Sequence, residues 1–148
     1  MPQVPSPKRE FSWQVRVYYE DTDRGGVVYY ANYLRYFERA RSEWLRSLGV
    51  NQEALAAVEG LIFVIARAEI DFKLGARLDE LLEVTVKVVE KKKTYLWLEQ
   101  EVRRAEGPDA GKVCVAARLQ AACVRQSDMW PQALPAAVGE ALAPGVAA

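Results

Sequence analysis

Apolar and polar residues alternate along most of this chain, and the alternation gives way once to a long stretch of helical spacing. From Phe11 to Glu20, Trp13, Val15, Val17 and Tyr19 fall on one side and Gln14, Arg16 and Tyr18 on the other, the period of a strand. Tyr33, Leu34, Phe37, Ala40, Trp44, Leu45 and Leu48 then recur at the spacing of one helix face. That helix is expected to start at Asn32, or at Tyr30 just before it, and to stop at Gly49. Asn51 to Glu59 reads as a short second helix with Asn51 as its N-cap. The unbroken run Leu61-Ile62-Phe63-Val64-Ile65-Ala66 predicts a central strand covered on both faces, continuing through Arg67, Glu69 and Asp71 where alternation returns.

After Gly75 the strand period resumes. Leu82, Val84, Val86 and Val88 alternate with Glu83, Thr85 and Lys87, and Leu96, Leu98, Gln100 and Val102 alternate with Tyr95, Trp97, Glu99 and Glu101. Glu90-Lys91-Lys92-Lys93-Thr94 between them predicts a hairpin with a basic tip. Gly107-Pro108-Asp109-Ala110-Gly111 is a strong turn signal, and a last strand is expected from Lys112 to Arg125. Trp13, Trp44 and Trp97 are read as core residues. One strand, one long helix and four further strands joined by turns give an α+β domain, an antiparallel sheet able to wrap its helix. The expected organisation is an extended, mobile arm over residues 1–10, which hold three prolines, one domain over 11–135, and a tail over 136–148, with a short amphipathic helix expected from Leu134-Pro135 onward before the Ala/Gly/Pro end.

At 148 residues the chain suits a single domain with a real core. Twenty Lys+Arg balance twenty Asp+Glu, so no global field favours nucleic acid or an anionic membrane, and an anionic ligand must be held by a local patch. No apolar run approaches the roughly 20 residues that span a bilayer. The first ten residues lack the apolar region of a secretory signal, so a cytoplasmic location is expected. The two cysteines, Cys114 and Cys123, lie in one predicted strand, where an unbroken period of two sends them to opposite faces and argues against an intrachain disulfide. With no histidine and only these thiols, no metal site is expected.

The candidate chemistry sits where the first strand meets the long helix. Glu20, Asp21 and Asp23 are followed by Gly25-Gly26, which lets the chain fold back, and Val27-Val28-Tyr29-Tyr30 leads into the helix. A carboxylate is thereby set near unpaired N–H groups at the positive end of a helix. That pairing suits a reaction that develops negative charge on a carbonyl oxygen, with Asp23 as base or nucleophile. An acidic, glycine-rich loop that merely caps a helix would carry the same residues.

Tyr18-Tyr19-Glu20-Asp21-Thr22-Asp23, Gly25-Gly26-Val27-Val28-Tyr29, Ala31-Asn32-Tyr33 and Phe37-Glu38-Arg39-Ala40-Arg41 together resemble the signature of the hotdog-fold acyl-CoA thioesterases. Within them the chain is most similar to the bacterial YbgC, Tol-Pal-associated, proteins, with the 4-hydroxybenzoyl-CoA thioesterases as near relatives. The resemblance runs from about Val15 to about Pro135 and takes in Arg77-Leu78-Asp79 and Ala133-Leu134-Pro135. It implies a hotdog fold, a five-stranded antiparallel sheet wrapped around one long helix, paired edge to edge in a dimer, with dimers pairing into a homotetramer and active sites between subunits. It also implies Asp23 as the catalytic carboxylate, the main-chain N–H of Tyr30 as the donor that polarises the thioester carbonyl, and Tyr19 as a further site residue. YbgC-type sequences place a histidine where Tyr30 stands, whereas the 4-hydroxybenzoyl-CoA relatives carry tyrosine there. An imidazole mechanism is excluded.

Gly26, Val28 and Phe63 are candidate substrate contacts, and Lys91, Lys92 and Lys93 are candidates for the coenzyme A phosphates that the family's ligand class implies, although a hairpin tip that is basic for solubility alone would carry the same lysines. Coenzyme A enters as part of the substrate, and no separate cofactor is expected. No Gly-x-Ser-x-Gly elbow and no Cys/His pair is present, so a serine or thiol nucleophile lacks support. Attack by Asp23 to give a mixed anhydride and activation of water by Asp23 both stay open. So do two other readings: a non-hydrolytic module that binds acyl-CoA or acyl carrier protein, and an envelope-system scaffold acting through protein contacts.

Overall fold

The structure, a computed structural model, describes residues 10–142. Residues 1–9 of the expected arm and 143–148 of the expected tail lie outside the described residues. In chain order the elements are β1 (Glu10–Arg16), α1 (Asn32–Ser47), α2 (Gln52–Ala54) running into a wider turn over Leu55–Glu59, β2 (Leu61–Phe72), β3 (Leu81–Lys91), β4 (Tyr95–Arg104), β5 (Val113–Arg125) and α3 (Ala136–Leu142). The strands form one antiparallel sheet in the order β1-β3-β4-β5-β2.

The long helix lies on one face of this sheet. Its Tyr33, Tyr36, Phe37, Ala40, Trp44 and Leu45 are buried among Leu82, Val84, Val86, Leu96, Leu98 and Val102 of β3 and β4. Each large side chain so covered stabilises the fold by about 1.5–3 kcal/mol. A fully buried amide pins helix to sheet: Gln100 Nε2 donates to the carbonyls of Phe37 and Thr85, each at 3.1 Å, and its Oε1 accepts from Arg41 Nη1 at 2.9 Å. Glycine closes the helix, since Gly49 adopts φ +83° and lets Val50 N–H reach back to Leu45 O at 2.9 Å. Asn51 caps α2, its Oδ1 accepting from Ala54 N–H at 2.9 Å.

Several expectations need correction. The first strand stops at Arg16, and Tyr19–Asp21 form a tight helical turn, because Tyr18 N–H bonds the Asp21 carboxylate at 2.8 Å instead of a neighbouring strand. β2 is an edge strand, not a central one, and none of its residues is buried: Leu61 to Val64 are half-buried and Ile65 and Ala66 exposed, because an apolar run does not specify what covers its faces or pairs its edges. Trp44 is buried, whereas Trp13 on the β1 edge is 41% exposed and Trp97 is half-buried on the outer face beneath the Arg118 guanidinium, 4.5 Å from the ring centroid. The unbroken period assumed for β5 fails at Cys114, the extra residue of a bulge opposite Val102 and Arg103. Cys114 joins the core cluster, and both thiols are buried and free. Val138 of α3 is fully buried, so the first part of the expected tail packs onto the core.

Candidate active site

Asp23 sits at the tip of a small loop that doubles back on itself. Its N–H donates to Val27 O at 2.9 Å, its carbonyl accepts from Gly26 N–H at 3.0 Å, and its Oδ1 accepts from Gly25 N–H at 2.8 Å. Gly26 takes φ +78°, a conformation that an L side chain strains. The Asp23 carboxylate is thus oriented by one backbone bond and otherwise exposed, with Thr22 and Val28 bridging the loop behind it.

The loop is stitched to the helix start and to the segment between β2 and β3. Tyr29 N–H and Asn32 Nδ2 both reach Asp21 O, each at 2.9 Å, so Asp21 works through its backbone as well as its carboxylate. Val28, buried in the core, donates its N–H to Ala76 O at 2.8 Å, Val27 bridges to Arg77, and the buried Tyr33 hydroxyl accepts from Ala76 N–H at 3.1 Å. Burial raises the Tyr33 phenol above its ordinary value, so it stays a neutral hydroxyl.

The start of α1 leaves donors free. Ala31 stands at the N-cap and has no side chain to accept from the first turn, where Ser, Thr, Asp or Asn would do so. The turn closes through Asn32 N–H to Tyr29 O and Leu34 N–H to Ala31 O, while the N–H groups of Tyr30 and Ala31 meet no acceptor among the described residues. These two amides belong to the turn that leads into the 16-residue α1, seven and eight positions after the carboxylate. The Tyr30 side chain is 62% exposed and packs against Tyr29 at 4.9 Å and Phe72 at 6.0 Å between ring centroids. The neighbouring Tyr30 hydroxyl, and to a lesser degree the negative Asp23, hold the Tyr29 phenol above its ordinary value.

Asp23, Gly26, Val28 and Tyr30 therefore come together at one end of the sheet. Tyr19 belongs to the same segment but turns outward, 83% exposed. Phe63 does not join them within this chain: Tyr30 meets Phe72 at the far end of β2, nine residues from Phe63 and about 30 Å along the strand. Phe63 instead lines a cavity of about 220 Å³ with Trp44, Leu45, Ile65, Leu96 and Leu98. Lys91, Lys92 and Lys93 sit at the Phe63 end of the sheet, away from Asp23 and Tyr30, where Lys93 O accepts from Leu134 N–H and Lys92 pairs with Glu90 at 3.6 Å. Sequence reasoning missed the part played by Asn32, Tyr33 and Ala76; only the run Gly75-Ala76-Arg77, a break in strand alternation, marked that place.

A five-stranded antiparallel sheet packed on one long helix, with the Asp23 loop beside the start of that helix, is the hotdog arrangement. The thioesterase superfamily model matches residues 25–110, and the chain belongs to that superfamily. It is 44% identical over 125 residues to the acyl-CoA thioesterase YbgC of Haemophilus influenzae, covering 84% of this chain and 88% of that protein. It is 40% identical over 128 residues to the acyl-CoA thioester hydrolase YbgC of Escherichia coli O157:H7, covering 86% and 92%. Among solved structures, a probable thioesterase from Bartonella henselae superposes with a TM-score of 0.78 at 37% identity, over 86% of this chain and all of that one. A 1,4-dihydroxy-2-naphthoyl-CoA thioesterase from Synechocystis, 23% identical, shares the fold with a TM-score of 0.82 over 92% of this chain and 97% of that one. The chain is thus a thioester hydrolase of the YbgC kind.

Proposed function

We propose that the chain hydrolyses acyl-CoA, with Asp23 as the reacting carboxylate and the N–H of Tyr30 as oxyanion donor. The observation that carries this reading is the turn into α1, whose free Tyr30 and Ala31 amides lie just beyond a loop that holds the Asp23 carboxylate by a single bond, from Gly25 N–H. Such amides stabilise the alkoxide that forms when the thioester carbonyl is attacked. In one route the free Asp23 oxygen attacks, the C–S bond breaks, CoA leaves as thiolate, and water hydrolyses the resulting anhydride. In the other, Asp23 takes a proton from the attacking water. Both give one acid and one free thiol per thioester and water consumed, and neither requires a cofactor. Tyr30 acts through its main chain, so the phenol in place of an imidazole leaves this donor intact.

The site is completed by a second copy. β2 is a twelve-residue open edge with Ile65 and Phe72 exposed, which antiparallel pairing to another β2 covers. Such pairing turns the second copy's Phe63 and lysine tip toward the end of this chain that bears Asp23 and Tyr30. The second copy's Phe63 then serves as an acyl wall, and its Lys91, Lys92 and Lys93 serve the phosphates of coenzyme A. Further pairing of dimers gives the homotetramer. The unpaired thiols Cys114 and Cys123 accord with a reducing cytoplasm, and among the described residues no helix is long and apolar enough to cross a membrane. An acyl carrier protein offers the same thioester and is the competing substrate.

The test is free-thiol release from acetyl-, hexanoyl-, palmitoyl-, benzoyl- and 4-hydroxybenzoyl-CoA. Wild type is expected to turn over at least one, and Asp23→Asn to lose roughly 100-fold or more of that rate. Full activity in Asp23→Asn refutes the assignment. Calorimetric binding of acyl-CoA with no thiol release replaces it with a binding module.

A further inference from the structure

The reaction loop is held from behind by a charged pair outside it. Arg104, at the end of β4 and only 15% exposed in its side chain, donates Nε to Glu80 Oε2 at 2.9 Å and Nη2 to Gly75 O at 3.0 Å. The other Glu80 oxygen accepts from Arg77 N–H at 2.6 Å. The strut 75–77 is therefore gripped at its first carbonyl by Arg104 and at its last amide by Glu80. Its middle residue, Ala76, spends both backbone groups on the reaction site, O to Val28 N–H and N–H to the Tyr33 hydroxyl of α1. Val27, bridged to Arg77, holds the Asp23 backbone through its carbonyl.

We propose that Arg104 and Glu80 are positioning residues that set the distance between the Asp23 loop and the amides at the start of α1 by clamping the strut 75–77. The proposal rests on the acyl-CoA hydrolase reading. Neither side chain bonds Asp23 or Tyr30, so the clamp acts through backbone geometry. The planar guanidinium fork is essential because it spans a carboxylate and a carbonyl at once, which a single ammonium cannot do with the same directions. A small error in placing the reacting groups costs rate far more than it costs binding or stability.

Arg104→Lys keeps the charge and an ion pair with Glu80 but gives up the Gly75 carbonyl. It is expected to lower kcat about tenfold while KM stays within about twofold. Glu80→Gln keeps an oxygen for Arg77 and is expected to lose less. In native-state hydrogen exchange on the full chain, the Val28 amide of Arg104→Lys should exchange about tenfold faster, with amides in the middle of β4 unchanged. Wild-type kcat and wild-type Val28 protection in Arg104→Lys overturn the proposal. A uniform rise in exchange across the sheet also overturns it, since that marks a general stabilising role. If wild type itself releases no thiol, the hydrolase reading fails, and the Val28 amide still decides the clamp.

Discussion

Gly75 has no room for a side chain. A Cβ built there lies 2.9 Å from Val27 Cγ1 and 3.2 Å from Val27 Cβ, and a β-branched valine cannot swing away without moving its backbone. Gly75→Ala is expected to push the loop off the strut, costing about 1–3 kcal/mol of stability and roughly tenfold in kcat/KM. Adding Val27→Ala should restore most of both, and a double variant no better than the single would show that the contact is not the cause. In the sequence Gly75 marks only a break in alternation, because its neighbour in space lies 48 positions away. Asp23, Gly26 and Tyr30 were legible for the opposite reason: carboxylate, fold-back glycine and helix start follow one another along the chain. Asn32 was read as a helix start, yet its side-chain bond to Asp21 O needs the loop already folded back.

At the scale of elements, local pattern was reliable about periods and stops. The long helix begins and ends within a residue or two of its expected bounds, and the Lys91–Lys93 tip and the turn before β5 lie where the turn residues put them. The pattern was misleading about neighbours. An apolar run looks the same whether a strand is central or lies at an edge, so β2 was misplaced and Phe63 was grouped with a site it does not reach within this chain. The open β2 edge makes the next prediction. Ile65→Lys, which puts a charge into an exposed apolar stretch of that edge, is expected to halve the mass seen by analytical ultracentrifugation or break the assembly to monomers, with thiol release falling in step. A wild type that sediments as an active monomer would refute the shared site.

The whole molecule keeps several neutral acids in its interior. Burial raises the Tyr33 phenol and the Cys114 and Cys123 thiols, and it raises the Tyr36 phenol well out of the ordinary range, with the Asp21 carboxylate beside it adding to the effect. The unfolded chain ionises these groups first, near their ordinary values of 9.0 for the thiols and 10.0 for the phenols. Their proton affinity therefore contributes fully below pH 9 and is lost as the pH climbs beyond it. The melting temperature is expected to be flat from pH 7 to 8.5 and to drop steeply above pH 9.5. Tyr36→Phe should flatten that drop. It should also cost nothing at pH 7, because the buried Tyr36 hydroxyl has no partner of hydrogen-bonding geometry among the described residues. A loss of more than a few degrees at pH 7 would show that the hydroxyl is satisfied. Sequence by itself determined what is written in short range: the strand and helix periods, the glycine stops, the hairpin tip, and a carboxylate set a few residues before a helix. These depend on backbone preferences and side-chain spacing within a few residues. Tertiary structure alone decided the strand order, the open β2 edge, the bulge that brings Cys114 into the core, and the strut that ties Arg104 to the Asp23 loop. Those features exist only once distant segments meet, and which segments meet depends on the packing of the whole sheet against its helix.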